Sequence, residues 1–316
     1  MTSQIDLFIV GTGRSGTTLA RTILDSHPKV AIPGETGFLP KLLRLKWLWW
    51  RGGKLKPTFF VKLAMSNGRL ARSGVTKSAL IESFSADQPK SPAEAITRIF
   101  QVYARLNGAP ADCLVGDKTP GYIRHVPLLN EWYPEARIIR LVRHPLSATA
   151  SLLEQPWAPN TPLANALSWQ EDQVAFNDAE ASNVMTLRLE DLISQPELSC
   201  RKMTDFLGLE FDPAMLDYSR KAKAVMQQNI HPNSHAGLTK GLSAKREWSD
   251  HISETDAKLI WDIVGREAAK LGYKHLPVAG RETDARTLSK ARSELSRFYW
   301  SRRWRSLKTL KTLVGF

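Results

Sequence analysis

Eight residues of this 316-residue chain, Gly11-Thr12-Gly13-Arg14-Ser15-Gly16-Thr17-Thr18, have the types and spacing to bind an anion. They follow a short apolar run, Ile5 to Val10, and precede Leu19 and Ile23 at helical spacing. A strand that turns through such a loop into a helix points several backbone N–H groups, and the positive end of a helix dipole, at one spot. Gly11 and Gly16 stand five apart, as in the nucleoside-triphosphate loop G-x-x-x-x-G-K-[ST]. The lysine that reaches the terminal phosphates of ATP or GTP is here Thr17, and an arginine, Arg14, lies inside the loop instead. The pattern points to a phosphate ester and away from triphosphate hydrolysis. The competing reading is a glycine-rich turn that only connects strand to helix.

Three further groups have the same sequence setting. Glu35 follows a short strand candidate, Lys29 to Ile32. Lys118 follows Cys113 to Gly116, within Asp117-Lys118-Thr119-Pro120. Arg143 follows Ile138 to Val142 and precedes Pro145, which suits a helix start. That helix should run through Ser147 and Ser151 to about Leu153. Further helices are expected over Pro92 to Arg105, Pro162 to Ala181, and Glu190 to Gly208, where the glycine ends the last. Val184 to Arg188 is a fifth strand. Strands alternating with helices imply an α/β fold with a parallel sheet covered on both faces. In such a sheet, ligands bind beyond the carboxyl ends of the strands. Arg14, Glu35, Lys118 and Arg143 are therefore expected at one edge. Each has a bland alternative, a surface arginine or a simple turn; four together are a harder coincidence.

Composition sets the surroundings. Apolar content of 42% and charged content of 24% are ordinary for a soluble protein, and no apolar run is long enough to span a bilayer. Two cysteines, Cys113 and Cys200, make no disulfide framework, and the first strand leaves no room for a secretory signal, so a cytoplasmic setting is expected. The net charge of +13 is uneven: residues 281–316 hold ten Lys/Arg against three Asp/Glu. There Trp300, Trp304, Leu307, Leu310 and Val314 recur at helical spacing among basic residues. This stripe suits either an interfacial helix on an anionic membrane or a terminal helix docked on the domain. Residues 41–72 carry Trp47, Trp49 and Trp50 among lysines and arginines. They read as a helix packing its tryptophans on the core, with a basic, aromatic acceptor or membrane wall as the alternative.

GTGRSGTTL, LDSHP, GET, GDKTP and RLVRHP, with a serine eight residues beyond the second arginine of the last, together resemble the sulfotransferases that use 3′-phosphoadenosine-5′-phosphosulfate (PAPS). The branch most like it contains tyrosylprotein sulfotransferases and many bacterial enzymes. The resemblance covers roughly residues 5–275 and implies a P-loop-like three-layer α/β fold with a central parallel sheet flanked by helices. It divides the chain into a sulfotransferase domain over 1–280, with a helical acceptor-side insertion at about 38–112, and a basic amphipathic tail over 281–316. It implies that Gly13, Arg14, Ser15, Gly16, Thr17 and Thr18 cradle the donor's 5′-phosphosulfate. Arg143 and Ser151 would hold its 3′-phosphate, Glu35 would be the catalytic base, and Lys118 would face the sulfate. A later loop, 231–248, offers Ser234 and either Lys245 or Lys240 to the nucleotide.

The chemistry agrees with those roles. Sulfuryl transfer, like phosphoryl transfer, needs positioning and charge stabilisation more than covalent help. Arg14, the loop N–H groups and Lys118 suit the charge developing on the leaving phosphate, and Glu35 suits the proton leaving the acceptor hydroxyl. No metal and no nucleic acid are called for. The acceptor class (small molecule, carbohydrate, lipid or peptide hydroxyl) is open, as is oligomeric state. The competing reading is a P-loop-like phosphotransferase, or a non-catalytic relative that keeps the fold.

Overall fold

All five residues of β1, Leu7–Gly11, are buried. A strand covered on both faces belongs at the centre of a parallel sheet. The computed structural model describes residues 4–177, 183–218, 222, 248–274 and 283–314, with side chains described as far as Ser301. The other strands are β2 (Val30–Ala31), β3 (Trp50–Arg51), β4 (Lys54–Leu55), β5 (Leu114–Lys118), β6 (Arg137–Val142) and β7 (Val184–Arg188). Five of them form one sheet in the order β2-β5-β1-β6-β7, while β3 and β4 make a separate antiparallel hairpin. The pairs β1–β5, β1–β6 and β2–β5 run parallel, with Leu7 opposite Gly116 on one side and Arg137 on the other. Gly116 is needed where β5 meets β1, because a Cβ there would lie 2.7 Å from the Leu7 side chain and 2.9 Å from its carbonyl oxygen.

The chain divides into two units. The first comprises 1–11, 16–141 and 181–243. Its core joins sheet and helices through Leu7, Ile9, Ile23, Ile139, Leu141 and Met203. Between β2 and β5 it carries the helices Leu39–Arg44, Lys46–Trp49, Pro57–Ala64, Arg69–Arg72, Lys77–Ala86 and Pro92–Leu106. The expected single helix over the tryptophans is instead two short helices and the β3–β4 hairpin. Only Trp49 is fully buried, its ring 4.8 Å from that of Phe60, whereas Trp47 is 65% exposed. Gly52 and Gly53, both at positive φ, supply the turn that a continuous helix could not contain. The helix expected over Glu190–Gly208 is likewise two, Leu189–Ser194 and Pro196–Leu207, because Pro196 restarts it; Gly208 caps its end in the left-handed region.

The second unit comprises 12–15, 142–180 and 244–316. Its described elements include the helices Pro145–Leu153, Pro162–Asn177, Glu254–Lys270 and Ala285–Val314. Trp169, Trp261, Ile260 and Leu146 form its core, into which Ala291 and Leu295 of the C-terminal helix are packed.

Candidate active site

In the first unit the strand ends bring a cation, a carboxylate and a hydroxyl together. Lys118, the last residue of β5, is 1% exposed yet donates from Nζ to Glu35 Oε1 at 3.0 Å and to Thr18 Oγ1 at 3.2 Å. Burial pushes its ammonium below the ordinary lysine value, while the adjacent Glu35 carboxylate works in the opposite direction. The Glu35 side chain is 31% exposed, so one side remains open to an incoming group. Its second oxygen, Oε2, lies 3.4 Å from Arg69 Nη1. A carboxylate so held between two cations has a fixed aim.

Glu35 is also positioned through its neighbours. Thr36 Oγ1 donates to Asp117 Oδ2, and Thr119 Oγ1 donates to Asp117 Oδ1 at 3.1 Å. Asn67 Nδ2 donates to the Thr36 carbonyl at 2.7 Å. Side chains alternate along a strand, so β5 sends Asp117 into this hydroxyl cluster and Lys118 toward Glu35. Complete burial raises the Asp117 carboxyl to about 6, against the hydrogen bonds that favour its charged form. A folded-state value above the unfolded one means that folding takes up a proton. The associated stability is present below pH 3.8 and is lost as pH rises through about 6. Asp117→Asn, which cannot titrate, should flatten that part of the stability curve, a difference of at most about 3 kcal/mol. Denaturant midpoints of both proteins across that window are the measurement; parallel curves would show that Asp117 does not titrate there.

In the second unit the loop arginine meets the helix that follows β6. Arg14 Nε donates to Ser151 Oγ at 3.0 Å, and Arg143 Nη1 donates to the Arg14 carbonyl at 3.2 Å. Arg14 adopts a positive φ of 69°, held while Ser15 Oγ and Ser15 N–H both bond to the Thr12 carbonyl, at 2.7 and 3.2 Å. Gln173 Nε2 donates to Thr12 Oγ1 at 2.9 Å, tying the loop to the helix Pro162–Asn177. Gly13 lies under the Trp157 indole, where a Cβ would come within 3.1 Å of the ring. Gly16, in the first unit, has φ 90°, and its missing Cβ would lie 2.4 Å from Leu189 Cδ1. Directly after it, Thr17 and Thr18 open the helix Thr17–Leu24, whose N-cap carries no side-chain hydrogen bond. Gly16, the N-cap residue, has no side chain with which to cap the helix's leading N–H groups.

Of the residues selected from the sequence, Lys118, Glu35 and Thr18 meet in one unit and Arg14, Arg143 and Ser151 in the other. Gly13, Ser15, Gly16 and Thr17 lie in the turn as expected. Ser234, Lys245 and Lys240 lie outside the described residues. Sequence reading passed over Arg69, Asn67, Asp117, Gln173 and Trp157. Asp117 had a signal, since it sits beside Lys118 at a strand end; Arg69 and Asn67 had none, coming from the middle of the inserted helices.

A sequence model described as "Sulfotransferase family" matches residues 6–213 of the chain. Protein-tyrosine sulfotransferase 1 of Danio rerio is 24% identical over 283 residues, spanning 84% of this chain and 72% of its own. Protein-tyrosine sulfotransferase A of Caenorhabditis elegans is 25% identical over 278 residues, with 84% and 67% covered. Among solved structures, the sulfotransferase domain from the Synechococcus PCC 7002 olefin synthase superposes with a TM-score of 0.54 at 21% identity. It covers 86% of this chain and 96% of that one. The shared fold is P-loop-like α/β, a central parallel sheet flanked by helices.

Proposed function

This chain belongs to the sulfotransferase family, and we propose that it moves a sulfuryl group from PAPS to a hydroxyl acceptor by in-line transfer, with Glu35 as general base. The observation that carries this reading is the contact of Glu35 Oε1 with Lys118 Nζ, 3.0 Å apart, with Thr18 Oγ1 as the lysine's other partner. A base, a cation and the hydroxyl that opens the loop helix are what the transfer needs in one place. The residues suit the donor as well. The loop offers backbone N–H groups and Arg14 to its phosphosulfate end, and Arg143 and Ser151 offer a guanidinium and a hydroxyl to its 3′-phosphate.

In the reaction the acceptor oxygen forms a bond to sulfur as the bond from sulfur to the bridging phosphate oxygen breaks. The bonding pair leaves on that phosphate. Glu35 takes the acceptor's proton, while Lys118 and Arg14 offset the charge appearing on the leaving group. Because the relatives are named as protein-tyrosine sulfotransferases, we assign a hydroxyl on a peptide or protein as the acceptor.

Calorimetric titration with adenosine 3′,5′-bisphosphate and with ATP tests the donor assignment. The bisphosphate should bind at least about tenfold tighter, because Thr17 replaces the lysine that a triphosphate requires. Preference for ATP would instead make the protein a phosphotransferase. Transfer of labelled sulfate from PAPS to a tyrosine-containing peptide tests the acceptor.

A further inference from the structure

The C-terminal helix Ala285–Val314 runs for 30 residues, but its apolar positions do not stay on one face. In its first half Leu288, Ala291, Leu295 and Tyr299 recur at spacings of three and four and pack onto the core of the second unit; the Tyr299 hydroxyl lies 2.9 Å from Ser168 Oγ. Continued at that spacing, the docked face meets Arg302, Ser306 and Thr309, three polar residues in succession, before it reaches Leu313. Of the apolar positions in the second half, Trp300, Trp304, Leu307 and Val314 are rotated from it by about a third of a turn at 100° per residue, and Leu310 falls between the two directions. Trp300, the first of them, is 63% exposed. A helix that merely continued its docking would have kept its apolar register.

Charge changes at the same point. Residues 295–316 contain six Lys/Arg and no Asp or Glu. A rotated apolar stripe that begins with an exposed tryptophan, set among cations alone, complements a surface that is apolar beneath and anionic on top. No described helix is long and apolar enough to cross a membrane. We propose that the distal half of this helix, from Trp300 onward, lies on the surface of an anionic lipid bilayer while the proximal half holds it to the second unit.

The test is co-sedimentation of the full chain with vesicles of phosphatidylserine and phosphatidylcholine, and with vesicles of phosphatidylcholine alone. Binding should be strong on the first, at least about tenfold weaker on the second, and weakened by salt. Replacing Arg302, Arg303, Arg305, Lys308 and Lys311 together by Gln should weaken it at least about a hundredfold. Trp304→Ser with Leu307→Ser should weaken binding even at low salt, where charge alone would persist. None of these positions belongs to the docked half, so an unchanged thermal transition serves as the folding control. Equal binding to both vesicle types, no binding to either, or a wild-type affinity in the Gln variant overturns the proposal. So does tighter binding to single-stranded RNA than to anionic vesicles, which would make the helix a nucleic-acid surface.

Discussion

Glu35→Gln should lose about two to four powers of ten in turnover while binding adenosine 3′,5′-bisphosphate as the wild type does. The amide keeps an oxygen where Oε1 stands, so Lys118 retains an acceptor beside Thr18 Oγ1, while its NH2 group replaces the oxygen that faces Arg69 Nη1. What it loses is the carboxylate basicity proposed to take the acceptor's proton. Glu35→Ala is the harsher change: it strips the 1%-exposed Lys118 of its carboxylate and should cost stability as well as rate. Single-turnover transfer from labelled PAPS, alongside calorimetry with the bisphosphate, separates the two effects. If Glu35→Gln turns over at the wild-type rate, the proton goes elsewhere and Glu35 is no base. If it fails to bind the bisphosphate, the residue belongs to the donor site instead.

Arg14→Ala should be nearly as damaging by a different route. Its guanidinium is the one charged side chain within the loop, and its Nε already donates to Ser151 at 3.0 Å. Loss of a charge-assisted contact of this kind costs about 1.5–3 kcal/mol in binding, roughly tenfold to a hundredfold in affinity for the bisphosphate. Turnover should fall further, by about two to three powers of ten, because the charge on the leaving phosphate grows as the reaction proceeds. Arg14→Lys should recover little, since one ammonium cannot both meet Ser151 and present a fork of donors to phosphate. Ser151→Ala should fall well short of either. An Arg14→Ala protein with undiminished kcat/KM would remove the loop from the chemistry.

Much of this architecture could be read from the chain alone because its signals are local. The helix Pro145–Leu153 and the strand Val184–Arg188 match their expected bounds, each marked by a start residue or a branched apolar run. The strands β1, β5 and β6 shift by at most two residues, β1 and β5 extending at their carboxyl ends and β6 gaining one residue at its start. That Lys118 and Glu35 would meet followed from topology: β2 and β5 are neighbours, so residues at their ends converge. Arg69 could not be found this way. It reaches Oε2 of Glu35 from 34 positions further along the chain, out of helices whose packing carries no periodic clue to the site. The tryptophans at 47–50 misled for a similar reason: composition alone does not tell a helix from a helix broken by a hairpin, and only Gly52-Gly53 hints at the turn.

Leu189 shares its space with Gly16, and this gives two distant positions a common history. An alanine at 16 would overlap Leu189 Cδ1 and would also have to adopt φ 90°. Trimming residue 189 relieves the first penalty and leaves the second untouched. Position 16 is thus closed to drift by backbone geometry, while position 189 is bounded only in bulk. Across descendants of this sequence the glycine should stay invariant as its neighbour wanders among apolar residues no larger than leucine.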